Sequence, residues 1–321
     1  MVVLSSGGVL GEFQVGALDE LKRRIPSVDM YVGAGVGALN ASVLAMDSDF
    51  SSAVDAVIQL WDEEVVDDKS VFLTGPFGLI GGAIGSILSE GPKANLGAID
   101  GKPTRKIIER HSSWERLGSR QNWAIATSSL TDTQMYTVTN NPMVLAKFQN
   151  PRMLLSLSLD PTHPFFIGNH LHDFIQAASS IPIMFNPVEI FGHKFCEAGI
   201  RDYTPMPLAT AALSAAADGN PNFQAEVFVI DTSGAALPLW NKDQLDSGRE
   251  VALRTMQIMV SELANNDLEL GIRTMKDVVP NVRIRVIKPL TEFEGFVMDF
   301  NDQKAREGLR KLGVQRAQAV L

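Results

Sequence analysis

Apolar runs and amphipathic stretches alternate along the first 46 residues. A β-type run at 1–4 leads into "SSGG", after which Phe13, Ala17, Leu18 and Leu21 recur at helical spacing and predict an amphipathic helix from about Glu12 to Arg24. Pro26 stops it, and "MYVGA" (30–34) predicts a second short buried strand. Gly35 to Met46 reads as a helix rich in small residues where it packs closely. Strand, sharp glycine turn and helix thus occur twice. That βαβα order implies a parallel sheet with helices on its faces.

Farther along, "VDAVIQLWDEEV" predicts an amphipathic helix and "PTRKIIERH" a helix opening with proline. "WAIATSSL" and "QMYTVTN" read as strands paired across "TDT", and "HDFIQAASSIP" as a helix ended by Pro182. "HKFCEAG" predicts a strand running into a turn, and "AEVFVIDTS" (225–233) another buried strand. A long helix from about Arg249 to Asn265, a late strand at "VRIRVIKP" and a C-terminal helix from about Asn301 complete the pattern. No repeat or low-complexity linker divides it. The expectation is one α/β domain over 1–321, with a mostly parallel central sheet flanked by helices (three layers, α/β/α). Its motif-bearing part is 1–235, and 236–321 adds C-terminal helices and a late strand.

Composition narrows the function classes. With 45% hydrophobic and 20% charged residues the chain carries a sizeable core, and its net charge of −9 without a long basic run argues against nucleic acid. A single cysteine, Cys196, rules out an internal disulfide framework and C-x-x-C metal sites, and fits a reducing, cytoplasmic setting. The N-terminus lacks a basic n-region and a cleavage site and reads as a first strand. Residues 70–89, "SVFLTGPFGLIGGAIGSILS", hold no charge over a length that suits a membrane span. Pro76 and five glycines make a poor helix of it. The expectation is a loop or short helix over a cleft, with Phe72, Phe77, Leu79 and Ile80 as acyl-chain or membrane contacts. "MDSDF" (46–50) lacks the rest of a calcium loop, so neither metal nor cofactor is expected.

Three turns carry candidate chemistry. "SSGGVLG" follows a strand and opens a helix, aiming backbone N–H groups at an anion or developing oxyanion. "GAGVG" (33–37) has the outline of the G-x-S-x-G nucleophile elbow, with Gly35 where a hydrolase carries serine. "FCEAGIRDYTPMPLA" sets an acidic residue after a strand. Neither a P-loop nor G-x-G-x-x-G is present. In this order the three turns resemble the patatin-like phospholipase family, and "DGKPTRKIIE", "WAIATSSLTDTQMYTV" and "AASSIPIMFNPV" fall in that family's order too.

The resemblance implies an α/β fold, a lipid or acyl-ester substrate and a serine–aspartate dyad that uses no histidine; contact with a membrane surface is expected from the run 70–89. The five histidines (111, 163, 170, 172, 193) accordingly sit in no motif. It also implies an oxyanion hole at Gly7 and Gly8, the nucleophile position at Gly35 and the dyad acid at Glu197. The departures fall on the reactive positions: Gly35 has no side chain, Glu197 stands in "EAG" for the family's "DGG", and Ser6 and Leu10 replace a glycine and a basic residue of the oxyanion loop.

Several routes stay open on the residues alone. Glu197 could activate a water in the space above Gly35, its carboxylate displaced by about 1 Å from an aspartate's reach. Ser6 could act as nucleophile, or simply cap the helix it precedes. A non-catalytic chain that binds lipid or a partner is the alternative to an acyl hydrolase. Cys196 should face away from a cleft-facing Glu197, as neighbours in a strand do. Asp202 is expected to brace the acidic loop, and Ser179 and Ser180 to support it.

Overall fold

A computed structural model describes residues 1–71, 101–119, 122–147, 154–162, 166–182, 184–234, 237, 239, 248–290 and 300–321. The run 72–100, with Phe72, Phe77, Leu79 and Ile80, lies outside the described residues, as does His163. The strands are β1 (Val2–Leu4), β2 (Met30–Gly33), β3 (Asn122–Ser129), β4 (Met135–Thr139), β5 (Leu154–Ser158), β6 (Val188–Ile190), β7 (His193–Glu197), β8 (Ala225–Ile230) and β9 (Val282–Ile287). They form one sheet in the order β5-β4-β3-β2-β1-β8-β9, with β7 joined to β3 and β6 to β7. Pairing is parallel for β1–β2, β1–β8, β2–β3, β4–β5 and β8–β9, and antiparallel for β3–β4, β3–β7 and β6–β7. The mostly parallel sheet is therefore as expected, with the "TDT" hairpin supplying one antiparallel pair.

The central strands are mainly apolar because both faces are covered. Val2 and Leu4 enter one core with Tyr31, Trp123, Ile125, Phe228 and Ile230. Val3 enters the other with Met30, Val32, Ala124, Ala126, Val227 and Val229. This is the period-2 alternation of a strand buried on both sides. On the first face lie α1 (Gly11–Leu21), α2 (Val36–Leu44), α3 (Phe50–Glu63), the short α4 (Asp68–Val71) and α5 (Lys102–His111). After α6 (Trp114–Ser119) and α7 (Pro142–Lys147), helix α8 (Leu171–Ala178) returns to that face. The second face is covered by α9 (Met206–Ala217) and α10 (Gly248–Val278), and α11 (Gln303–Val320) packs on α1.

Among the longer helices two differ from the sequence expectation, and the short α4, α6 and α7 had no counterpart in it. Helix α9 was not foreseen: "MPLATAALSAAA" is small and apolar nearly all round, so it has no polar face to set a 3.6-residue period. Helix α10 runs to Val278, thirteen residues past the expected end at Asn265, because nothing in "NDLELGIRTMKDV" breaks a helix except Gly271, which packs against Met206.

The register of β3 positions the site. Strand β2 pairs with β3 only as far as Gly33↔Ile125, while β4 occupies the opposite edge of β3 from Ala124 to Ser128. Beyond the end of β2 its place is taken by β7, running the other way, with Glu197 opposite Thr127. At about 3.3 Å per residue this sets Glu197 one side-chain repeat past the end of β2, over the turn at Gly35.

Candidate active site

The loops after β1 and β2 are zipped side by side. Ala34 N–H donates to Leu4 O (3.1 Å) and Gly37 N–H to Ser5 O (3.2 Å). Gly35 lies between them at φ 56° and ψ −131°, directly before α2. A side chain in that backbone conformation costs about 1–3 kcal/mol, and glycine adopts it without a Cβ clash.

The space above Gly35 is filled by Ser6. A Cβ at residue 35 would meet Ser6 Oγ at 2.1 Å, and Ser6 Cα and Cβ at 2.7 Å each. The Ser6 hydroxyl donates to Glu197 Oε2 at 3.0 Å. Gly199 crowds the pair from the other side, since a Cβ there would lie 2.6 Å from Ser6 Oγ and 3.2 Å from Glu197 Oε1. Ser6 is thus not a helix cap: the 3₁₀ turn Gly8–Leu10 that leads into α1 starts from Gly7 and receives no side-chain cap. Its hydroxyl is committed to a carboxylate from a strand 191 residues away.

Burial sets the electrostatics. Ser6 is 1% exposed and Glu197 7%. Desolvation pushes the Glu197 carboxyl up to about 7, against the opposing effect of the Ser6 hydrogen bond. Glu197 is held from behind by its own N–H, which donates to Ser180 O at 2.9 Å. Cys196 is buried, and burial followed by the neighbouring Glu197 charge drives its thiol up to about 12, which removes it as a thiolate nucleophile.

A polar network that the sequence reading missed fixes the first loop. Ser6 N–H donates to Tyr203 O (2.9 Å), and Ser6 O accepts from Ser5 Oγ (3.1 Å) and from Thr232 Oγ1. Thr232 N–H donates to Ser5 Oγ (2.9 Å), and Tyr203 OH lies 2.8 Å from Thr232 Oγ1. On the other side Gln14 donates to Ser5 O, Asn40 to Gln14 and the Trp61 indole to Asn40, at 2.8, 2.9 and 2.9 Å. One signal could have found Thr232: it follows a buried parallel strand at its carboxyl end, where open α/β sheets gather their sites.

An apolar cavity of about 50 Å³ opens beside Glu197, lined by Gly8, Val36 and Glu197 at the site and by Leu39, Trp61, Ile107, Phe185 and Phe300 beyond. Ser179 also lines it, and Ser180 supports Glu197 through its carbonyl. Asp202 does not brace the loop with its side chain. It is buried, neither carboxylate oxygen has a hydrogen-bond partner among the described residues, and burial with the nearby Asp267 charge raises its pKa well above the usual range. Leu10 is buried in the first core. The described histidines lie elsewhere: His111 near Glu64, His170 against Asp173, His172 on Ser112 O and His193 near Asp132. Among the described residues no group of three His, Cys, Asp or Glu side chains is placed to hold a metal, and no helix is long and apolar enough to cross a membrane.

Comparison with known proteins adds three findings. The family model described as Patatin-like phospholipase matches residues 2–210. The solved structure of VipD from Legionella pneumophila is similar at 12% identity and a TM-score of 0.44, over 99% of this chain and 66% of that one. The chain thus spans just under two thirds of VipD's length. No curated protein sequence matches significantly.

Proposed function

Because the chain belongs to the patatin-like phospholipase family, we propose that it is an acyl-ester hydrolase of lipid-like substrates in which Ser6 is the nucleophile and Glu197 its general base. The observation that carries this reading is the 3.0 Å hydrogen bond from Ser6 Oγ to Glu197 Oε2. A nucleophile within 2.6–3.2 Å of a base is the usual signature of covalent acyl transfer. In this reading Gly35 and Glu197 occupy the family's nucleophile and acid positions, and the hydroxyl has moved from residue 35 to residue 6 across the zipped loops.

The chemistry then runs in two halves. Glu197 takes the Ser6 proton as Oγ attacks the ester carbonyl carbon, and the Gly7 and Gly8 N–H groups hold the resulting oxyanion. Collapse breaks the ester C–O bond, the alcohol leaves with the proton from Glu197, and Ser6 is acylated. Glu197 then takes a proton from water as the water oxygen attacks the acyl carbon; the C–Oγ bond breaks, Ser6 Oγ recovers the proton from Glu197, and the carboxylic acid leaves. Contact with a membrane surface, through the uncharged run 70–89, belongs to the same proposal.

A second reading has its own observation: Ser6 is 1% exposed, as suits a chain that holds acyl groups without cleaving them. Hydrolysis of p-nitrophenyl esters across pH separates the two. For a base with a pKa of about 7, kcat/KM should climb about tenfold per pH unit below that value and level off above it. Binding of lipid vesicles with no hydrolysis between pH 5 and 9 would favour the second reading.

A further inference from the structure

We propose that the cavity beside Glu197 is an acyl pocket limited to short chains, so that this protein cleaves esters of acids of roughly two to four carbons. The inference rests on the reading of Ser6 and Glu197 as the catalytic pair. Its own support is the size, lining and stiffness of the cavity.

The volume is about 50 Å³. An apolar cavity of about 150 Å³ accommodates benzene, with six carbons. A third of that volume takes about two carbons beyond the carbonyl, with a little more room toward the mouth. The long acyl chain of a membrane phospholipid has no counterpart in this space. Beyond Gly8 and Glu197 the described lining is mainly hydrocarbon and aromatic, and its two hydroxyls, on Thr104 and Ser179, are spent on Val71 O and Ile175 O, which favours an uncharged alkyl end over a dicarboxylic or amino acyl group.

The walls are built into the core and cannot simply swing aside. Trp61 is 1% exposed, its indole is tied to Asn40 at 2.9 Å, and its ring centroid lies 6.5 Å from that of Phe300. Phe300 is fixed through its backbone, whose N–H donates to buried Asp68 at 2.9 Å. Ile107 and Phe185 are buried as well. An acyl chain lengthened toward these walls therefore has to displace packed side chains, which well-filled interiors resist.

The test is a chain-length series on the full chain: p-nitrophenyl acetate, butyrate, octanoate and palmitate, with Phe185→Ala as the variant that enlarges the cavity. The expected result is a kcat/KM at least tenfold higher for butyrate than for octanoate, with the ratio collapsing or inverting in Phe185→Ala. Equal or better hydrolysis of octanoate or palmitate by the parent would overturn the proposal while leaving the catalytic pair intact. Absence of hydrolysis of every ester would count against the catalytic pair and against short-chain cleavage. A turnover-independent arm then isolates the pocket, comparing 2-pentanone and 2-nonanone by saturation-transfer NMR. Tighter binding of the five-carbon ketone, lost in Phe185→Ala, is the result the pocket requires. Equal binding of both, or of neither, would overturn it.

Discussion

Ser6→Ala and Glu197→Gln should each lower kcat/KM for p-nitrophenyl butyrate by about a thousandfold or more, and the double variant should be little worse than either alone. The physical reason is that the hydroxyl and the carboxylate act as one unit, joined at 3.0 Å in a site from which water is largely excluded. Removing the hydroxyl removes the attacking atom. Replacing the carboxylate by an amide leaves Oγ with an acceptor but no base. If Glu197 instead activated a water, Ser6→Ala would spare most of the rate and only Glu197→Gln would be lost.

A stability control accompanies the second variant. The Glu197 carboxyl titrates at about 7 in the folded chain against an ordinary value of 4.5, so between those values the native state binds more protons than the unfolded one. Stability is then greatest at acid pH and falls as pH rises through that window, with the full cost reached above about 7. Glu197→Gln should unfold in urea with a shallower loss of stability between pH 5 and 8 than the parent.

Restoring serine to the elbow should fail unless residue 6 is changed with it. Gly35→Ser alone is expected to cost about 2–6 kcal/mol in urea unfolding, combining about 1–3 for the left-handed backbone and about 1–3 for overpacking. The overlap is specific: the new Cβ would sit 2.1 Å from Ser6 Oγ and 2.7 Å from Ser6 Cα. Because one of those atoms is backbone, a rotamer change at Ser6 cannot relieve it. Ser6→Gly combined with Gly35→Ser removes the side-chain overlap and should recover about half of the loss. Equal destabilisation with and without Ser6→Gly would show that the space above Gly35 is not set by Ser6.

Much of the fold could be read from local pattern because each early unit is short and regular. Apolar runs at 1–4 and 30–34, glycine turns and the helical spacing of Phe13, Ala17, Leu18 and Leu21 all point to β1, α1, β2 and α2. Helix α9 escaped because a helix buried on nearly every side loses the alternation that marks it. The glycine turns at 6–8 and 33–37 were legible as site elements, and Ser6 and Glu197 were legible separately. Their bond was not. It depends on β7 entering antiparallel beside β3 where β2 stops, a register no local window contains. Sequence reasoning accordingly left the space above Gly35 open for a water, where the folded chain puts the Ser6 side chain. Asp202 misled for a related reason: its place next to a strand-end turn suggested a brace, yet folding buries its carboxylate without a hydrogen-bond partner among the described residues.

The most direct test of the relocated nucleophile is to treat the purified chain with a short-alkyl fluorophosphonate and locate the adduct by peptide mass spectrometry. The account predicts a single modification at Ser6, faster above pH 7 than below it and absent in Ser6→Ala. An adduct on any other serine, or none under conditions where the parent hydrolyses esters, would contradict it.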